Sequence, residues 1–139
     1  MILNSSEYLV GIPAIDVQHK CYVDLINKLL EAREKGNIDK ASLIDYVNAI
    51  NVYALEHLDT EEVLMRSEKY PLYEKHLEKH NIFRDILDGF IKELEIKDVD
   101  INDFLDNLCA CLVIWFKAEL LRDDIVLAKF IKNKSAGLA

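Results

Sequence analysis

The chain has 139 residues, about right for one domain, and its 51% hydrophobic content is enough to bury a core without disulfides. Its 25 acidic and 17 basic side chains leave a net charge of -8 with no extended basic patch, which argues against nucleic acid or an anionic membrane surface as a partner. The amino terminus MILNSSEYLV lacks the pattern of a secretory leader and no run approaches the ~20 apolar residues of a membrane span, so the expectation is a cytoplasmic protein.

Glycine (4) and proline (2) are scarce, and with polar clusters they cut the chain into four helical segments. An extended lead-in ends at GIPAID, where Asp16 is the expected N-cap of a first helix over 17–35. That helix carries Val17, Cys21, Leu25, Ile26 and Leu29 at helical spacing and stops at Gly36-Asn37. A second helix runs from about Lys40 to Ser67, with Leu43, Val47, Ile50, Ala54, Leu55, Leu58 and Val63 inward. It ends before Tyr70-Pro71, because a residue that precedes proline avoids helical geometry. The third spans Leu72 to about Glu95 with Leu72, Leu77, Phe83, Ile86, Leu87 and Phe90 as its apolar stripe, interrupted by Gly89. After the polar link KDVDIND, in which Asp100 or Asn102 can cap, a fourth helix reaches roughly Lys132. No strand pattern, repeat or phosphate loop competes. The pattern predicts an all-α protein: a single domain over 1–139, folded as an antiparallel up-down-up-down four-helix bundle behind its lead-in.

Three cysteines, Cys21, Cys109 and Cys111, form no even disulfide framework and read as buried thiols. The histidines say more. His57 and Glu61 are spaced i, i+4 on helix two, and His76 and His80 repeat that spacing on helix three. His19 lies near the start of helix one, while helix four supplies Glu119 and the Asp123-Asp124 pair, so each helix carries at least one nitrogen or oxygen donor. Any one of these alone reads as an ordinary surface or core residue, but together they fall where an antiparallel bundle would gather them, and they point to a metal site. Mixed imidazole and carboxylate ligation without thiolate suits iron, manganese or zinc. Bridging carboxylates, with Glu61 and an aspartate of helix four as the natural bridges, point to two ions.

These residues resemble the hemerythrin family, in its bacterial hemerythrin-like form, over nearly the whole chain. The resemblance rests on GIPAIDVQHK, which carries His19; on HLDTE with His57 and Glu61; on the Tyr70-Pro71 turn followed by HLEKH with His76 and His80; and on WFKAELLRDD in helix four. In that last segment the family has W-x-x-x-H-x-x-x-x-D, so Glu119 stands in place of a fifth histidine and Asp124 matches the bridging aspartate. Helical spacing alone favours Asp123, at i+4 from Glu119. Asp124, at i+5, requires an offset along the metal pair or a local bulge; on the resemblance it is the expected bridge, with Asp123 as the alternative.

The resemblance implies a non-heme pair of iron ions, oxo- or hydroxo-bridged, that binds dioxygen reversibly at an open position. The oxygen-binding iron would be held by His19 and His57, the other by His76, His80 and Glu119. Leu58, Phe83, Trp115 and Phe116 are candidates for an apolar oxygen pocket. A carboxylate in place of an imidazole favours ferric over ferrous iron, admits manganese more readily, and moves the site toward di-iron oxidases and peroxidases. Three functions are expected, in descending order: a dioxygen carrier, store or sensor; a redox enzyme that consumes dioxygen or peroxide; and a bundle with a weakened site that serves only for interaction.

Overall fold

The computed structural model describes residues 8–96 and 98–137, apart from the side chains of Glu119 and Leu120. Helices α1 (Pro13–Lys35), α2 (Lys40–Ser67) and α3 (Tyr73–Ile96) are followed by α4 (Ile101–Ile114) and α5 (Leu121–Ser135). A π-helical turn over Trp115–Leu120 joins the last two into one continuous fourth helix. There is no strand among the described residues.

Cross-helix pairs set the directions. His19 meets Asp124 while Arg33 meets Asp106, so α1 runs antiparallel to the fourth helix. Lys79 with Asp123, Phe83 with Trp115 and Phe90 with Phe104 do the same for α3. Glu61 with His76 and Asp59 with Arg84 set α2 against α3. The molecule is the expected all-α antiparallel four-helix bundle.

The first helix begins earlier than its apolar pattern predicts. Ile12 is the N-cap position in extended geometry and Pro13 opens the helix, where its fixed φ and missing N–H are an advantage. Asp16 is therefore not the N-cap. Its carboxylate accepts the backbone N–H of Val10 at 2.7 Å and of Gly11 at 3.1 Å, and so ties the lead-in to α1. Lys132 crosses Gly11 to donate to the Val10 carbonyl, and a Cβ at that glycine (φ +88°) would collide with the ammonium. The lead-in is pinned from both sides, and residues 1–7 of it lie outside the described residues. Gly36 closes α1 in left-handed geometry as expected, Asp39 caps α2 just ahead of its expected start, and of the two candidates Asp100, not Asn102, caps α4 through the Asp103 N–H.

Three residues expected inward face solvent: Val17, Val63 and Leu72. The reason is phase. At this end of the bundle the buried stripe is made of polar side chains, His19 on α1 and His57 and Glu61 on α2, so a stripe traced through apolar residues alone drifts off the true face. Met65 takes the inward position assigned to Val63, and Leu72 lies in the turn before α3.

The largest apolar cluster fills the other end, where Ile26, Leu29, Leu43, Ile50, Leu94, Leu105 and Leu108 are buried together, while smaller ones around Ile15 and Met65 close the donor end. Cys109 is part of that core, and burial pushes its thiol up to about 11, which makes it inert. Cys21 and Cys111, also free thiols, are half-buried rather than buried. No helix among the described residues is long and apolar enough to cross a membrane.

Candidate metal centre

Among the described residues, six polar side chains are as buried as the apolar core: His19, His57, Glu61, His76, His80 and Asp124. Helical spacing supplies two pairs directly. His57 and Glu61 sit one turn apart on α2, and His76 and His80 one turn apart on α3. Asp124 arrives by another route. In an unbroken α-helix Asp123 would share the face of the buried Phe116, seven residues before it. The π turn at 115–120 holds one extra residue per turn and advances the register by one, so Asp124 faces the core in its place. Asp123 stands at the edge, paired with Lys79 Nζ at 3.0 Å.

The donors form two groups, His19 with His57 and Asp124, and Glu61 with His76 and His80, whose ligand atoms in each group lie within 4.8 Å of one another. Each carboxylate reaches across. Asp124 Oδ2 lies 2.7 Å from His19 Nε2 and 3.1 Å from His57 Nε2, while its Oδ1 lies 3.5 Å from His76 Nε2 in the other group. Glu61 Oε1 lies 3.2 Å from His76 Nε2 and 3.0 Å from His80 Nε2, and its Oε2 lies 3.7 Å from His57 Nε2.

Outer hydrogen bonds determine which imidazole nitrogen faces inward. His19 Nδ1 lies 3.0 Å from the Tyr8 carbonyl, an acceptor only, so Nδ1 carries the proton. His57 Nδ1 donates to Gln18 Oε1 at 2.9 Å, and that amide is oriented by its own donation to Thr60, whose hydroxyl donates in turn to the Glu56 carbonyl. His80 Nδ1 faces Glu62 Oε2 at 2.9 Å. In all three rings the Nε2 lone pair then points at carboxylate oxygens. Acceptors converging on acceptors are satisfied only by a shared cation, whether proton or metal. The two oxygens that reach across the groups, Glu61 Oε2 and Asp124 Oδ1, are buried without a hydrogen-bond partner among the described residues. That is what a bridging ligand looks like without its cation, and the donor set fits a metal.

Electrostatics agree with this crowding. Burial and the Asp124 charge push Glu61 well above the ordinary carboxylate range. Burial acts on Asp124 in the same direction, but its close contacts with Glu61 and with the His19, His57 and His76 rings outweigh it and hold the group well below that range. His80 is lowered to about 4, chiefly by burial, with Glu62 opposing. For His19 burial also opposes the charge, yet Asp124 prevails and the pKa rises.

Of the apolar candidates, Leu58, Phe83 and Phe116 are buried and Trp115 is half-buried, stacked on Phe83 at 5.4 Å. Phe116 sets its ring against the His19 imidazole at 5.1 Å. Tyr22, absent from the predicted stripe, stacks on Phe116 at 5.3 Å and packs on Phe83, completing an aromatic wall on the His19 side. The expected ligand Glu119 belongs to the π turn, and its side chain lies outside the described residues.

Sequence reasoning also missed the outer partners Gln18, Glu62, Arg84 and the Tyr8 carbonyl. Two had a faint signal, since Gln18 adjoins His19 and Glu62 adjoins Glu61. The Tyr8 contribution is a backbone atom and had none.

Fold and cluster together define a class, helical-bundle proteins with an imidazole and carboxylate site for cations between facing helices. Residues 10–130 match the hemerythrin HHE cation binding domain, and the chain belongs to that family. It is 27% identical over 135 residues to the bacteriohemerythrin of Pseudomonas aeruginosa strain LESB58, covering 91% of this chain and 84% of that protein. The bacteriohemerythrin of Stenotrophomonas maltophilia is 25% identical over 123 residues, with 88% and 76% covered. That of Methylococcus capsulatus is 22% identical over 102 residues, with 73% and 76% covered.

Proposed function

We propose that this chain is a non-heme di-iron protein that binds dioxygen in the bundle core, as a carrier, store or sensor in the cytoplasm. The observation that carries the reading is the division of six buried donors into two groups, each with two imidazoles and one carboxylate whose second oxygen turns toward the other group. His19 and His57 would hold one iron, His76 and His80 the other with Glu119 as a further ligand, and Glu61 and Asp124 would bridge them. Held by these residues, a ferrous pair would supply the electrons on which reversible dioxygen binding draws. The protein's own part is orientation and exclusion. The Tyr8 carbonyl and Gln18 fix His19 and His57 with Nε2 inward. Phe116, set against the His19 ring, with Phe83, Leu58 and Trp115 in the same apolar cluster, would keep water from the oxygen position.

The test is the visible spectrum of protein loaded anaerobically with ferrous iron, followed as air is admitted and then removed. The reading predicts a charge-transfer band that appears and reverses; an iron-loaded protein with no oxygen-dependent band would overturn it. His57→Ala should lose one metal and His80→Ala the other. If both variants keep two tightly bound ions, the ligand assignment fails.

Glu119 favours a second reading, a di-iron enzyme that consumes dioxygen or peroxide, because an added carboxylate stabilises the ferric state and eases acceptance of manganese. Steady consumption of either oxidant, with a band that persists or decays to a ferric product, marks that outcome. Glu119→His should restore reversibility, and unchanged oxygen chemistry in that variant would show that Glu119 does not control it.

A further inference from the structure

The outer partners of the imidazoles differ in charge between the two halves of the cluster. His19 donates to a backbone carbonyl and His57 to an amide oxygen, both neutral. His80 donates to a carboxylate, Glu62, which is 12% exposed. Arg84, one turn after His80 on α3, pairs its guanidinium with the same Glu62 oxygen and is itself held by Asp59 at 3.1 Å and by Asn81 Oδ1 at 2.9 Å. The clamp keeps Glu62 anionic and fixed on the Nδ1 side of the ring, while the adjacent Glu61 faces the Nε2 side.

An anionic acceptor draws the Nδ1 proton outward and raises electron density at Nε2, whereas a neutral acceptor orients the ring and adds little basicity. We propose that Glu62, positioned by Arg84, makes the Glu61–His76–His80 half the tighter of two unequal metal positions, so that this half fills first and the His19–His57 half fills second and empties first. The inference rests on the two-metal reading above. It assigns Glu62 and Arg84 as positioning residues, since neither faces the cluster interior, and it makes Gln18 their neutral counterpart. The order of filling has a chemical consequence, because the half that releases its ion more readily is the one walled by Phe116 and Tyr22, where the proposed oxygen position lies.

The experiment is a titration of metal-free protein with Zn2+ in competition with a chromophoric chelator, which yields two stepwise dissociation constants. His80→Ala should abolish the tighter step and His57→Ala the weaker, which assigns them. Glu62→Gln should then weaken the tighter step by about tenfold or more, the usual scale of outer partners, and leave the weaker step within about twofold. Gln18→Glu should tighten the weaker step and bring the two constants together from the other side, a result that does not depend on Glu62→Gln folding. Helical circular dichroism of each metal-free variant separates lost affinity from lost fold. The proposal is overturned if a folded Glu62→Gln leaves both constants unchanged or weakens both equally, or if Gln18→Glu does not tighten the weaker step. Wild-type protein that binds fewer than two ions would sink the two-metal reading itself, a result recognisable before any variant is made.

Discussion

The two ends of the bundle use the same kind of position for opposite purposes. Away from the cluster, inward positions hold Leu29, Leu43, Ile50, Leu105 and Leu108, and each gains by leaving water. Around the cluster they hold four histidines, Glu61 and Asp124, equally buried, with lone pairs facing one another and two carboxylate oxygens unpartnered among the described residues. Apolar burial, in the large cluster and in the smaller ones around Ile15, Met65 and Leu127, stabilises the fold, and the donor cluster draws on it, the division expected when a site needs an arrangement that metal-free packing would not choose.

The sharpest way to break this contrast is to weaken the apolar end. Leu108→Ala should cost about 2–5 kcal/mol of unfolding free energy, read from urea denaturation, with full metal capacity retained below the transition. Loss of metal in the folded variant would mean that the two ends are not separable. A comparable effect is expected from acid at the cluster. The His80 pKa is lowered to about 4 from the ordinary 6.5, so below 6.5 the unfolded chain takes up a proton that the native ring refuses. Its contribution is present above pH 6.5 and is lost as the pH falls toward 4, about 3 kcal/mol at ~1.4 kcal/mol per unit. Because the raised Glu61 acts in the opposite sense over the same range, the measure is the difference: with acid the urea midpoint of metal-free wild type should fall relative to that of His80→Gln, and a difference that does not change with pH would place the acid sensitivity elsewhere.

Smaller effects sharpen the contrast by staying on one side of it. Asp100→Ala removes the cap of α4 and should cost about 1 kcal/mol with no change in metal capacity. Arg33→Ala breaks an exposed pair with Asp106 and should leave the thermal midpoint unmoved within error. A measurable shift at Arg33 would reveal a coupling that the exposed geometry does not predict.

The bundle was readable from the chain because its glycines, prolines and polar links fall at helix ends and its apolar spacing is helical. His57 with Glu61 and His76 with His80 were readable because each pair lies on one helix at i, i+4. Helical spacing alone pointed to Asp123, and it was the family resemblance that favoured the buried Asp124, since the π turn is an insertion in the backbone that no residue type announces. The exposed Val17 and Val63 show the complementary limit, where polar side chains occupy the core stripe and an apolar pattern loses its phase. Gln18, Glu62 and Arg84 act across helices, and only tertiary placement reveals them.

The central claim is that the π turn delivers Asp124, and not Asp123, to a two-metal cluster. Iron content after anaerobic ferrous loading and desalting of Asp123→Asn and Asp124→Asn tests it most directly. The account predicts two ions retained in Asp123→Asn and at least one lost in Asp124→Asn. The reverse pattern, or two ions held equally well by both, would contradict it.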